Sequence, residues 1–280
     1  MLSYRHSFHA GNFADVLKHI VQALIIEALK QKPKPFVYYD THAGAGRYDL
    51  MDAKSQKTAE FKNGIEKLWN NTELPDLLTP YMDVIKQLNP KGELYYYPGS
   101  PLLTHLLVPR NYRLELSELH PTDVLLLQQE FQNKRSVSIT QKDGFKTLIA
   151  KLPPIQRRGL ILIDPPYELK TESDDVVRAI KVAYNKFSTG IYAIWYPLVS
   201  RQQIESFCTK FKHSGIKNII RIELCVKADS EGYGMTGTGM IIINPPWKLA
   251  EQMHKLMPWL IENLKQDDSP FYKIETISSE

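Results

Sequence analysis

The sequence predicts an α/β protein with a doubly wound, mostly parallel sheet of seven strands, organised as a single domain of 280 residues. Short apolar runs that are typical of buried strands alternate along the chain with amphipathic segments of helical length. Several of these runs end at an acidic residue or in a Gly-rich turn, at the edge where open α/β sheets bind their ligands. With 43% hydrophobic residues, the chain can bury a full core.

The composition excludes several classes of protein. A net charge of +4 permits a polyanionic partner without requiring one. Cys208 and Cys225 are too few for a disulfide framework, which favours a reducing cytoplasm, and His6, His9 and His19 lack the spacing of metal ligands. The chain does not open on a signal peptide, and no apolar run approaches the ~20 residues of a membrane span. We therefore expect a cytoplasmic protein with no metal and no membrane partner.

The first helix is predicted from an apolar stripe over residues 16–28, with Asn12 or Asp15 as its cap. The first strand, 36–39, runs into Asp40-Thr-His-Ala-Gly-Ala-Gly46. A strand that enters such a loop lets backbone amides approach a ligand closely at the start of a helix. The pattern is common in ordinary turns, so it needs support from the rest of the chain.

An insertion is predicted between the first two strands of the sheet. In dinucleotide-binding folds an acidic residue that holds a ribose follows the Gly-rich loop by about 20 residues. Here the first acidic residue that ends a convincing strand is Glu118, at the end of 112–118. Helical patterns over 61–69 and 77–88 occupy the gap, so we predict a small inserted helical subdomain at 50–95.

The rest of the chain alternates between strands and helices. Tyr97-Pro-Gly-Ser-Pro101 is predicted as a turn before a helix at 102–107, because Pro is favoured at a first helical position. The last two strands, 216–226 and 238–243, are joined by a polar, Gly-rich loop without a helical pattern, so we expect an antiparallel hairpin. The strands between these elements are predicted at 112–118, 137–140, 160–163 and 190–195.

The most informative stretch is Asp164-Pro-Pro-Tyr167, after the buried strand 160–163. Neither proline has a backbone N–H, so the pair stops the strand and leaves carbonyls free to accept hydrogen bonds. The Asp164 carboxylate and the Pro165 carbonyl can each accept one N–H of an exocyclic amine, while Tyr167 stacks on the attached ring. Such acceptors favour a pyramidal nitrogen that can attack an electrophile, and Asp164 can take up the released proton. The alternative is a solvated Asp in a Pro-rich turn.

A second copy of this pattern, Asn244-Pro-Pro-Trp247, offers a rival site. If the last strand is antiparallel, its carboxyl end lies at the edge of the sheet opposite the Gly-rich loop and Asp164. We therefore interpret Asn244-Pro-Pro-Trp247 as a structural turn before the final helix.

Several motifs together resemble a known family. Asp40 to Gly46, Asp143-Gly144 and Asp164 to Tyr167 resemble the Rossmann-like class I S-adenosylmethionine-dependent methyltransferases that modify amines. The opening Tyr4-Arg-His-Ser-Phe-His-Ala-Gly-Asn12, with Leu17-Lys-His19, resembles more closely the bacterial RlmJ family. That family methylates N6 of an adenine, adenine 2030, in 23S ribosomal RNA. The same likeness extends over 97–101, 118–121, 163–168 and 192–197.

The resemblance implies S-adenosylmethionine as the cofactor and assigns roles to single residues. Asp164 matches the catalytic position, and Glu118 can accept hydrogen bonds from two ribose hydroxyls. Residues 1–14 are expected to form a mobile segment that contacts the substrate and closes over the site. The matched cofactor contacts are His19, His42, Ser100, Glu118, Asp143, Gly144 and Asp164, and the expected substrate contacts are Tyr4, His6, Lys18, Pro165 and Tyr167.

The sequence therefore favours a monomeric methyltransferase whose partner is 23S ribosomal RNA, either protein-free or at an early stage of assembly. The target adenine would be unstacked into the crevice, which costs least in single-stranded RNA. A DNA adenine-N6 methyltransferase is the first alternative, although such enzymes usually carry a larger target-recognition domain than 50–95. A non-catalytic RNA-binding protein of this fold is the second, and the intact Asp164 and Gly-rich loop disfavour it.

Overall fold

The computed structural model describes residues 5–109, 111–168, 171–230 and 234–279. The strands are β1 Val37–Asp40, β2 Arg47–Asp49, β3 Tyr96–Pro98, β4 Arg113–Ser117, β5 Val137–Thr140, β6 Gly159–Ile163, β7 Ile191–Leu198, β8 Ile219–Cys225, β9 Gly237–Ile243 and β10 Phe271–Ser278. The helices are α1 Phe13–Lys30, α2 Ala53–Thr58, α3 Ile65–Trp69, α4 Thr79–Leu88, α5 Ser100–Leu107, α6 Pro121–Glu130, α7 Gly144–Lys151, α8 Glu172–Lys186, α9 Arg201–Lys212 and α10 Leu249–Leu264.

The main sheet has the strand order β10-β8-β9-β7-β6-β1-β4-β5. Its centre is parallel, because β1 pairs in parallel with both β4 and β6, and β6 pairs in parallel with β7. Strand β9 runs antiparallel between β7 and β8, so the predicted hairpin is confirmed. The arrangement confirms a doubly wound, Rossmann-like α/β fold.

The sheet contains an eighth strand that the sequence analysis did not predict. Strand β10 pairs antiparallel with β8 at the edge of the sheet, and most of its residues are only half-buried or exposed. A strand that is covered on one side only has a weak hydrophobic pattern in the sequence, so β10 was not predicted. A fully buried Arg221 on β8 helps to hold β10, since its guanidinium donates to Glu275 at 2.9 Å and to Glu223 of its own strand.

Helices cover both faces of the sheet. Strand residues alternate between two cores: Leu160 and Leu162 of β6 pack on the side of α1 and α10, whereas Ile161 and Ile163 pack on the side of α8 and α9. Because both faces are covered, every residue of β6 is buried. Helix α1 is buried along nearly its whole length, and its cap is Asn12, whose side chain accepts from the backbone N–H groups of Ala14 and Asp15.

The loop after β1 differs from the sequence prediction. We expected the Gly-rich residues to lead into a helix, but residues 41–46 lead into β2, and α2 begins only at Ala53. Strand β2 pairs with β3 in a separate two-stranded sheet. Between these two strands lie the short helices α2, α3 and α4, in the region where an inserted helical subdomain was predicted. The loop thus reaches the site without a helix N-terminus.

Candidate active site

A cavity of about 640 Å³ opens at the carboxyl edge of the parallel strands. Consecutive strands place an acidic residue just beyond their ends: Glu118 after β4, Asp143 after β5 and Asp164 after β6. The parallel register of β6, β1, β4 and β5 brings these ends to one edge. The predicted site residues that line the cavity are His6, Lys18, His19, His42, Ser100, Glu118, Asp143, Gly144, Asp164 and Pro165.

The two further predicted residues are Tyr4, which lies outside the described residues, and Tyr167, which is not among the residues that line the cavity. Tyr167 adopts a left-handed conformation (φ 52°), its hydroxyl donates to the Trp195 carbonyl at 2.8 Å, and its ring packs against Trp195 and Phe207. Stacking of Tyr167 on a target base therefore stays a prediction.

Glu118 is held against the Gly-rich loop. The Gly44 N–H donates to one of its carboxylate oxygens at 2.7 Å, and the His120 N–H donates to the other at 2.7 Å. Burial raises the pKa of Glu118, while these two N–H groups oppose the rise. Each oxygen keeps a second lone pair, so the carboxylate can still accept from a pair of hydroxyl groups.

Ser100 and Asp40 form a buried pair below the cavity. The Ser100 hydroxyl donates to the Asp40 carboxylate at 2.7 Å, and the Tyr38 hydroxyl donates to the same oxygen at 2.7 Å. Burial raises the pKa of Asp40 to about 6, against the opposing effect of both hydroxyls. The Ser100 hydroxyl is thereby oriented by its neighbour, and its remaining lone pairs can accept.

His19 presents an unpaired nitrogen in the wall of the cavity. Its Nδ1 lies 2.8 Å from the Tyr97 hydroxyl, and its ring stacks on Tyr97 at 5.5 Å between centroids. Burial lowers the pKa of His19 to about 3, so the imidazole is neutral at pH 7. Within the described part of the chain, the buried Nε2 has no hydrogen-bond partner, which is the signature of a group that awaits a ligand or an ordered water.

A chain of charged groups links the N-terminal segment to Asp164. His6 Nε2 lies 2.9 Å from one oxygen of Asp15, the Lys18 ammonium lies 2.7 Å from the other, and the same ammonium lies 2.5 Å from Asp164. Lys18 is only 4% exposed. Burial would lower its pKa, but Asp15 and Asp164 together raise it above its usual value, so Lys18 is charged.

Among these interacting side chains, Asp15 is the one that the sequence analysis did not identify as a site residue. It was considered only as a helix cap, yet its side chain is 2% exposed and also accepts from the Gly11 N–H at 2.9 Å. Burial would raise its pKa, but His6 and Lys18 hold the pKa well below its usual range. The signal in the sequence was the spacing of Asp15 and Lys18, which places both on one helix face.

The rival motif lies at the opposite edge of the sheet, as predicted. The Asn244 side-chain amide donates to the carbonyls of Ser188 and Gly190 at 2.8 Å each, which secures the turn after β9. Trp247 is 83% exposed. Asp164, and not Asn244, therefore lies at the cavity.

Two kinds of feature are absent from the described residues. No group of His, Cys, Asp and Glu there has the geometry of a metal site. In the same residues, no helix is both long enough and apolar enough to cross a bilayer.

Comparison with known proteins identifies the family. The model of the family described as ribosomal RNA large subunit methyltransferase D, RlmJ, matches residues 33–276. The chain belongs to the RlmJ family. It is 55% identical over 264 residues to ribosomal RNA large subunit methyltransferase J of Escherichia coli K12, with 94% of each chain covered. It is 50% identical over 281 residues to the protein of the same name from Haemophilus influenzae, with both chains covered in full.

A solved structure extends the match to three dimensions. The crystal structure of protein LPL1258 from Legionella pneumophila is 41% identical to this chain, with a TM-score of 0.89, and the match covers 96% of this chain and 98% of that one. As a methyltransferase of the RlmJ family, the chain uses S-adenosylmethionine as its methyl donor. The site fits such a group, since the cavity offers a carboxylate for hydroxyls at Glu118 and the unpaired His19 nitrogen.

Proposed function

We propose that this protein transfers a methyl group from S-adenosylmethionine to N6 of one adenine in 23S ribosomal RNA. The observation that carries the proposal is the position of Asp164-Pro165-Pro166, which lines the cavity at the end of β6 beside the residues suited to the methyl donor. The relatives from Escherichia coli and Haemophilus influenzae are named for methylation of the large-subunit ribosomal RNA. We extend that substrate to this chain.

The donor side of the cavity is assigned to the groups at the ends of β1, β4 and β5. Glu118 would accept from ribose hydroxyls, and Asp143 from the adenine amine, while the backbone of the 41–46 loop would hold the amino-acid end. His42, Ser100, Gly144 and His19 would complete the contacts. When bound, S-adenosylmethionine supplies an electrophilic methyl group.

The acceptor side is assigned to Asp164 and Pro165. Lys18 occupies Oδ2 of Asp164, so Oδ1 would accept one N6 hydrogen and the Pro165 carbonyl the other. The carboxylate then takes up the proton that N6 loses. Most of the rate enhancement would come from positioning, with roughly a few kcal/mol spent on unstacking the base.

The N-terminal segment, residues 1–14 with Tyr4 and His6, would contact the RNA and close over the site together with Lys18. The helices at 50–95 would serve as a small inserted subdomain. The protein would act as a monomer in the cytoplasm on protein-free RNA or on an early assembly intermediate.

A methyl-transfer assay tests the proposal. Labelled S-adenosylmethionine is offered with protein-free 23S ribosomal RNA and, separately, with duplex DNA, and the product nucleosides are identified by mass spectrometry. We expect N6-methyladenosine in the RNA only, at a single position. Methylation of the DNA alone would favour a DNA methyltransferase, and donor binding without product on either substrate would favour a non-catalytic RNA-binding protein.

A further inference from the structure

The edge of the sheet opposite the cavity has an unusual charge pattern. Six described segments cross this edge between a helix and a strand: 31–36, 131–136, 152–158, 187–190, 213–218 and 244–248. None of them contains Asp or Glu, although the chain has 31 acidic residues. We call the cations on these segments and at the C-terminal ends of α8 and α9 the basic edge: Lys32, Lys34, Lys134, Arg135, Arg157, Arg158, Lys186, Lys212, Lys217 and Lys248.

These cations are presented to solvent and are not neutralised. Nine of the ten side chains are exposed, and Arg158 is half-buried. No described carboxylate forms an ion pair with any of them. The lysines that end α1 and α7 are not part of the basic edge, because Lys30 pairs with Glu27 and Lys151 pairs with Glu115. Glu251, in the first turn of α10, lies near Lys248 but is already paired with Lys255 at 2.6 Å. The positive charge of the basic edge is therefore available to a partner.

The helix dipole explains only part of this pattern. Cations in the last turn of a helix are favoured by the partial negative charge of its C-terminus, and the effect falls off within that turn. It accounts for Lys186 and Lys212, which end α8 and α9. Lys34, Arg157 and Lys217 lie several residues beyond the helix ends, so helix stability does not require their charge.

An exposed aromatic ring lies within the same surface. Trp247 is 83% exposed, and the Lys248 ammonium lies 5.2 Å from the centre of its ring. The Asn244 hydrogen bonds to the 188–190 turn fix the loop that carries it. A ring held at the surface among unpaired cations is the arrangement with which proteins bind RNA: phosphates contact the cations, and an unpaired base stacks on the ring.

We propose that the basic edge is a second RNA-binding surface, which holds the phosphate backbone of the substrate RNA on the side of the molecule opposite the methylation site. The proposal rests on the proposed function, because it takes the RNA that is methylated as the ligand. The positive charge of the basic edge favours a polyanionic partner. The exposed ring of Trp247 favours a polyanion with unpaired bases, which is a property of single-stranded RNA. The crevice then supplies the chemistry, and the basic edge supplies affinity for a large RNA.

Two matched triple variants test the proposal. Lys32→Gln, Lys134→Gln and Lys217→Gln remove three charges from the basic edge. Lys91→Gln, Lys181→Gln and Lys265→Gln remove three charges from exposed lysines that lie outside the basic edge. Binding to protein-free 23S ribosomal RNA is measured from 50 to 200 mM salt for both, with circular dichroism to verify folding.

For the basic-edge variant we expect Kd to rise about tenfold or more and the logarithmic salt dependence to become less steep by about 2, whereas the control stays near wild type. Its turnover on a short RNA that covers only the target region should not change. Equal losses in the two variants, or no loss in either, would overturn the proposal. So would a loss of binding to anionic phospholipid vesicles in the basic-edge variant while RNA binding is retained.

The binding assay keeps this proposal separate from the proposed function. A wild-type protein that binds RNA through the basic edge without methylating it would contradict the proposed function alone. A wild type that methylates the RNA while the basic-edge variant binds like the control would contradict the second surface alone. Trp247→Ala should weaken binding to single-stranded RNA and leave the salt dependence unchanged, since it removes stacking and no charge.

Discussion

The Lys18 ammonium lies 2.5 Å from a carboxylate oxygen of Asp164, which follows it by 146 residues in the chain. This contact ties the first turns of α1 to the end of β6 and thus joins the N-terminal segment to the Asp-Pro-Pro motif. Since Asp15 contacts both Lys18 and His6, three successive contacts, His6 to Asp15, Asp15 to Lys18 and Lys18 to Asp164, connect the N-terminal segment to the motif.

Asp164→Asn should lower methyl transfer to 23S ribosomal RNA by about two orders of magnitude or more, because the amide cannot accept a proton. Binding of S-adenosylmethionine should stay within a few-fold of wild type, as measured by calorimetry. Asn244→Ala is the matched control at the rival motif and should leave turnover intact. A severe loss of turnover in Asn244→Ala together with a mild loss in Asp164→Asn would mean that the rival motif carries the chemistry and that the assignment to Asp164 is wrong.

Asp15→Asn should lower kcat about tenfold and leave the donor affinity unchanged, because Lys18 loses the ion pair that positions it against Asp164. The change also costs roughly 1–3 kcal/mol of stability, since a buried charge pair is broken. Single-turnover kinetics and thermal unfolding measure the two effects. Asp174→Asn, at an exposed pair with Lys210, is the control and should change neither quantity; an unchanged kcat in Asp15→Asn would remove Asp15 from the mechanism.

Glu118→Ala should raise the Kd for S-adenosylmethionine about tenfold or more, since the carboxylate would no longer accept from the ribose hydroxyls. Turnover at saturating donor should change much less. Glu262→Gln, an exposed acid paired with Lys265, serves as the control. Should donor affinity survive the loss of Glu118, the assignment of the ribose position would be wrong.

Tyr167→Phe and Tyr167→Ala separate two roles of this side chain. The Phe variant keeps the ring and loses the hydrogen bond to the Trp195 carbonyl, which costs about 1 kcal/mol of stability. If the ring stacks on the target adenine, the Phe variant retains turnover, whereas the Ala variant has a raised KM for RNA. Equal KM values in the two variants would limit Tyr167 to holding the Pro-Pro loop in place.

Acid should destabilise the fold through His19. Its pKa is about 3 in the folded protein, because of burial, and about 6.5 in the unfolded chain. The unfolded state therefore binds up to one more proton than the folded state between about pH 6.5 and pH 3. The free energy of unfolding falls as the pH is lowered through this window, by up to about 1.4 kcal/mol per pH unit.

Urea unfolding of His19→Gln at several pH values checks this sign. The variant should show a weaker pH dependence between pH 6.5 and 4 than the wild type. His213→Gln, an exposed histidine after α9, should keep the wild-type slope. A variant whose slope matches that of the wild type would mean that His19 does not contribute to acid sensitivity.

The sequence allowed the parallel centre of the sheet to be predicted because its strands are short, apolar and bounded by turn residues. The edge strand β10 escaped prediction, since one of its sides has no neighbour and its burial pattern is irregular. The prediction of a helix directly after the Gly-rich loop was also wrong, because the local sequence does not determine the next element. The glycines permit a close approach of the backbone, and that property does not determine which element follows.

The site was predictable in its residues and less so in its contacts. Strand ends can be aligned from sequence, so Glu118, Asp143 and Asp164 were expected at one edge. The pairing of Lys18 with Asp164 could not be derived, because it depends on how α1 crosses the sheet. Asp15 was missed for a different reason: a carboxylate in a first helical turn is usually interpreted as a cap, although its spacing from Lys18 indicated a pair.

The C-terminal strand has a practical consequence for protein production. Strand β10 ends beside β8, where the Asn218 N–H donates to the Ser279 carbonyl at 3.1 Å, only one residue from Lys217. A purification tag fused after this strand would emerge directly onto the lysine-rich side of the molecule. An acidic tag placed there would compete with nucleic acid for that side, so affinity measurements should be made with the tag removed or moved.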